Sequence, residues 1–240
     1  MKALIIILLF SINPLIVFSN TTPDSIKYNY AFSGLKLRTG PSTQATMISV
    51  IPFGESITVL ESSNQPQRIE WLEGSWIKVD YQGQQGFVFD GFISSMRLPS
   101  HTFEMTQEDL DLSSPLAGWV RYNFETDGVA DILEKDNFYQ ESQSFEQGFK
   151  LIHSTNTFNY NLMVHFPNKS LTEVYNLIKA MLMTKQEREI FTNNSLFILG
   201  TDNKIKTIKI KLESPIIIQS NPQGIVTVKV TKPHESCVSF

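Results

Sequence analysis

The sequence predicts a mainly β protein, a small β-barrel followed by an α+β domain in which an antiparallel sheet carries one packed helix. Three observations predict it. Between Leu35 and Phe89, short runs of alternating apolar residues are separated by Gly-bearing turns; Phe158, Tyr160, Leu162, Val164 and Phe166 alternate with Asn159, Asn161, Met163 and His165; and Leu171 to Leu182 carries one apolar stripe at helical spacing.

The elements follow in chain order. Residues 1–19 have the form of a secretory signal, with Lys2 at the positive end, an apolar run from Leu4 to Phe10, and Val17-Phe18-Ser19 as a processing site. Export is therefore expected, to the periplasm or outside the cell, with Asn20 as the first mature residue. The apolar run is broken by Pro14 and is shorter than the roughly 20 residues a spanning helix needs, so no membrane span is expected. After a leader at 20–33 the chain divides into a barrel at 34–97, a connecting region at 98–143 and a second domain at 144–232. The composition has 20 basic and 24 acidic residues, a net charge of −4, which excludes the basic footprint of a nucleic-acid binder. The single cysteine, Cys237, rules out an internal disulfide, so stability must come from the cores.

Within the barrel, Leu35 and Leu37 share one strand face. Ile48 and Val50, Ile57 and Val59, and Ile77, Val79 and Tyr81 mark three further strands, with Phe87 and Phe89 completing the set. Turns fall at Gly40-Pro41, Pro52-Phe53-Gly54 and Gln82-Gly83-Gln84. The run Leu-Lys-Leu-Arg-Thr-Gly-Pro-Ser-Thr at 35–43, with Gly-Ser-Trp-Ile-Lys-Val-Asp-Tyr-Gln-Gly-Gln-Gln-Gly-Phe-Val at 74–88, resembles the bacterial SH3-like (SH3b) domain. Lys36 stands where that family often has Asn, and 61–75 is longer than the usual loop before the Trp strand. The resemblance implies binding rather than catalysis, with a cell-wall peptide or an envelope protein as partner. It also implies a groove lined by aromatic and polar groups from the long loops. Trp71 in the inserted loop is then the first ligand-binding candidate, with Arg68, Arg38 and Tyr30 as donors to acidic or carbonyl groups; Trp76 reads as core.

In the second domain, the strand at 157–166 pairs with Phe145 to His153 through a turn near Thr155-Asn156. Ser170 and Glu173 form a capping box for the helix. Strands follow at Ser195–Leu199, Ile205–Leu212, Ile216–Gln219 and Gly224–Val230.

Catalytic patterns are weak throughout. All four histidines precede Cys237, the reverse of the order in cell-wall cysteine hydrolases, and no His-X-His or His-X-X-X-His pair offers a metal site. His153 and His165 are expected on the solvent side of the sheet, pairing six residues apart. Asp109 with Asp111, and Asp127 with Asp131, read as solvated acids, and no Gly-X-Ser-X-Gly elbow occurs. Lys204, Lys206, Lys209 and Lys211 read as edge-strand lysines. The expectation is an exported, non-enzymatic binding protein without catalytic residues, metal or cofactor. Its alternatives are a barrel that targets a catalytic second domain, and an envelope scaffold.

Overall fold

The computed structural model describes residues 18–19, 26–63, 65–99 and 112–234. Cys237, Asp109, Asp111 and residues 1–17 of the expected signal lie outside these. The first sheet comprises β1 (Phe18–Ser19), β2 (Ile26–Asn29), β3 (Leu35–Arg38), β4 (Met47–Ile51), β5 (Ser56–Ser63), β8 (Trp76–Tyr81), β9 (Gln84–Phe89) and β10 (Ile93–Ser94). Between β5 and β8 the hairpin β6 (Gln67–Ile69) and β7 (Leu72–Gly74) forms a separate two-stranded ribbon. The main sheet is antiparallel in the order β10-β2-β5-β8-β9-β3-β4, with β1 also on β5, and curls into a half-barrel.

Nine buried residues fill the half-barrel: Leu35, Leu37, Ile51, Ile57, Val59, Ile77, Val79, Val88 and Ile93. Two strand faces differ from the sequence expectation. In β4 the inward residue is Ile51, while Ile48 and Val50 are exposed; in β9 Val88 points inward and Phe89 is buried on the opposite face. Asn29 is fully buried but satisfied. Its Nδ2 donates to the Ile51 and Pro52 carbonyls, and its Oδ1 accepts from Ala31 N–H, tying β2 to the turn after β4.

The second sheet contains β11 (Asp131–Lys135), β12 (Phe138–Ser144), β13 (Lys150–Thr155), β14 (Asn159–Pro167), β15 (Ser195–Leu199), β16 (Ile205–Ile210), β17 (Ile216–Ser220) and β18 (Ile225–Pro233). Its order, β11-β12-β13-β14-β18-β17-β16-β15, is two four-stranded meanders joined at β14 and β18. Three helices accompany it rather than the single one expected: α1 (Ser113–Asn123), α2 (Leu171–Ala180) and α3 (Lys185–Asn193). The connecting region thus supplies α1, β11 and most of β12. Trp119 of α1 packs among Phe124, Phe149 and Phe166.

The capping box of α2 is formed as expected: Ser170 Oγ accepts from Glu173 N–H and Glu173 Oε2 accepts from Ser170 N–H. Helix α2 is buried on both sides because it lies between the second sheet and the half-barrel. One contact network crosses there. Asn176 Nδ2 donates to Gly91 O, Ser94 Oγ to Glu173 Oε1, and Tyr30, Leu72 and Met96 of the first domain join the core of the second.

Candidate binding cleft

The inserted segment folds as a ribbon whose position is fixed at its base and along its side. Ile69 pairs with Leu72, leaving Glu70 and Trp71 as a two-residue turn with φ of 51° and 67°. Two successive positive φ values define a type I′ turn, the one whose twist matches a right-twisted hairpin, and that turn ordinarily takes Asn-Gly. A bulky Trp in the left-handed region is a conformational outlier, of the kind that persists where surrounding contacts hold it.

Those contacts are polar and come largely from the second domain. Arg68 Nη2 donates to Glu73 Oε1 at 2.9 Å and to Asn203 O at 2.6 Å. The same Glu73 oxygen accepts Ile205 N–H at 2.9 Å, and Glu73 N–H donates to Thr172 Oγ1. At the base, Ser75 N–H donates to Asp90 Oδ1 at 2.6 Å, and burial raises the Asp90 carboxyl above its ordinary value despite that bond. Gly74 is required here, since a Cβ would lie 2.6 Å from Gly91 N.

So held, the hairpin tip overhangs a cleft of about 1110 Å³ between the half-barrel and the elements α2, α3 and β15. Trp71 is 63% exposed and lies near-parallel to Phe197 of β15, with ring centroids 6.5 Å apart. Phe197 in turn meets Tyr175 of α2 at 5.4 Å. Trp76 and Phe89, edge to face at 6.1 Å, line the barrel side. Arg188 of α3 stands 4.1 Å over the ring of Phe32, which also lines the cleft.

The charges lining this space are unequal: Lys36, Arg38 and Lys179 against Glu70. Lys179 is half-buried, and desolvation lowers its ammonium below the ordinary 10.5. Glu70 opposes that shift and Arg188 adds to it. Its Nζ has no hydrogen-bond or ion-pair partner among the described residues.

The four residues singled out in the sequence are distributed unevenly. Trp71 and Arg38 line the cleft, although Arg38 Nη1 also donates to Ala45 O at 2.7 Å and so helps close the β3–β4 turn. Tyr30 lies at the cleft wall with only 2% of its surface exposed. Its hydroxyl is directed at the Met96 and Arg97 carbonyls, and burial with the charge of Glu173 drives its pKa far above 10. Arg68 is the clip that seats the hairpin and does not line the cleft. Sequence reasoning passed over Tyr175, Lys179 and Phe197, the second-domain wall. Tyr175 and Lys179 are four residues apart on α2, so one helix face presents both.

The remaining chemical candidates do not assemble. His153 pairs with Leu162 rather than near Asn159, so His165 is three residues on, about 10 Å along the strand. His153 shares the face of buried Leu151 and Leu162 instead of the solvent side, with its Nδ1 against Tyr160 hydroxyl and Nε2 accepting from Arg121. Asp127 and Asp131 are exposed, and among the described residues no cluster of three or more His, Cys, Asp or Glu could hold a metal. The lysines of 204–211 are exposed, but β16 is covered by β15 and is not an edge; Lys206 pairs with Asp202 at 2.9 Å. Among the described residues no helix is long and apolar enough to cross a membrane.

Residues 33–94 match the family model of the bacterial SH3 domain, which covers β3 to β10 and the inserted hairpin but not β1 and β2. No curated protein and no solved structure matches the chain.

Proposed function

We propose that this is an exported, non-enzymatic binding protein that engages cell-wall peptide in the cleft between its SH3-like half-barrel and its second domain. The match at 33–94 supports the ligand class, since bacterial SH3 domains bind cell-wall components. The observation that carries the reading is the solvent-exposed Trp71, held at positive φ on a ribbon clipped to both domains over an aromatic-walled cleft. Flat rigid rings give contact area at low entropic cost, and a concave site with few fixed polar groups is the usual form of a binding pocket.

The test is sedimentation of the mature chain with purified peptidoglycan. Wild-type protein is expected in the pellet, and Trp71→Ala is expected to lower the affinity about tenfold, the scale of an exposed aromatic anchor. Stability should stay within about 0.5 kcal/mol, as for surface changes in general. Protein left in the supernatant at all wall concentrations would refute wall binding. Release of soluble fragments from the wall would refute the non-enzymatic part.

A further inference from the structure

The second domain does more than close the cleft, because it contributes a half-buried cation, Lys179, whereas the half-buried cation on the barrel side, Arg38, already donates to Ala45 O. Lys179 lies on α2 one turn after Tyr175, and both line the cleft together with Glu70 and Trp71 of the hairpin tip. A lysine that is partly desolvated and has no partner ordinarily swings into water, and four flexible carbons permit it. Here it stays half-buried and lines the cleft alongside Trp71, Tyr175 and Phe197. Lys36 and Arg38 extend the positive charge along the barrel side, and Glu70 is the only carboxylate among the lining residues.

We propose that the cleft selects a peptide bearing a carboxylate, with Lys179 of the second domain as the contact residue that receives it beside the ring faces of Trp71 and Tyr175. This rests on the wall-binding reading above and adds the ligand's charge and the domain that reads it. A carboxylate entering the cleft gains a charge-assisted hydrogen bond in a partly desolvated space, where such a bond is at its strongest. A neutral amide of the same shape gains an ordinary bond and leaves the cation unpaired. The carboxylate can be the C-terminal one of a peptide or an acidic side chain.

The full mature chain is sedimented with native peptidoglycan and with peptidoglycan whose carboxylates have been converted to neutral amides by carbodiimide and ethanolamine. Native wall is expected to bind about tenfold or more tightly than the amidated wall, the scale of one charge-assisted bond. Lys179→Met keeps the apolar stem and should bring native-wall binding down to the amidated level, whereas Lys179→Arg should retain a preference. Glu70→Gln should raise native-wall affinity about two- to threefold by removing the competing charge. Two soluble tetrapeptides then identify the source by displacing the protein from native wall. Ala-Gln-Lys-Ala as free acid carries only the terminal carboxylate, and Ala-Glu-Lys-Ala amide only the side-chain one. Equal sedimentation with native and amidated wall, both sensitive to Trp71→Ala, overturns the carboxylate assignment and leaves wall binding standing. Failure of both tetrapeptides to displace overturns the peptide assignment, and absence of sedimentation with native wall takes both readings down.

Discussion

The half-barrel has two buried faces that differ in what they pack against. Inside, nine aliphatic residues contact one another, and all of them come from 35–93. Outside, Tyr30, Leu72, Met96, Trp76 and Phe89 meet the second domain or the cleft, together with the polar clips from Arg68 and Glu73. The inner face makes the module; the outer face makes it specific to this chain. A generic core can therefore be kept while the inserted ribbon and its docking surface vary, which is how function comes to sit on a common scaffold.

That contrast can be broken most sharply in the cores. Leu37→Ala, at a site with no exposed surface, should cost about 2–5 kcal/mol, and Trp119→Ala in the second core about 3–5 kcal/mol, measured by denaturant unfolding. If Leu37→Ala left stability unchanged, the inner face would not be the module's support. Next is Gly74→Ala. Its new Cβ would crowd Gly91 backbone, and a loss of about 1–3 kcal/mol together with weaker wall binding is expected, because the ribbon base must shift.

A smaller effect has the opposite sign. Trp71→Gly relieves a bulky side chain at φ of 67° and should raise stability by about 1 kcal/mol while lowering wall affinity about tenfold, as Trp71→Ala does. A variant losing both would show that Trp71 serves the fold instead. The smallest change concerns pH. Asp90 is protonated more readily in the folded protein than in the unfolded chain, whose value is the ordinary 3.8. Its contribution therefore falls as pH rises from below 3.8 through the raised value. Asp90→Asn keeps an oxygen for Ser75 N–H and should remove that slope, so the variant gains on wild type as pH rises in stability measurements from pH 3 to 7.

Much of this architecture was legible wherever one face of an element is buried and the other wet. The alternation at 157–166 is of that kind; α2, buried on both sides, was marked instead by its capping box, and both stand where the pattern placed them. Strands buried on two faces, and elements buried on almost none, gave no such alternation. Strand β9 packs Val88 inward and Phe89 outward, so hydrophobicity could not choose its face. All five residues of β11 are exposed, which hides it as a strand. Helix α3 has a capping box from Thr184 and Glu187, written as clearly as that of α2, yet only Phe191 is buried, so no stripe followed the cap. The candidate site divides in the same way. The inserted loop announced Trp71 through its unusual length, but the opposing wall is built from Tyr175, Lys179 and Phe197, over a hundred positions later, and only the folded arrangement brings them opposite the ribbon.

The seam between β14 and β18 carries a consequence for biogenesis. Strand β14 ends at Pro167 and its partner begins at Ile225, so α2, α3 and a complete three-stranded meander must emerge before the pairing can form. Until then, the strand bearing Leu162, Val164 and Phe166 is a bare hydrogen-bonding rim open to a neighbouring molecule. Nascent or truncated chains lacking 225–233 should therefore be the species that a holdase chaperone captures, and their self-association should disappear once that last long strand is supplied.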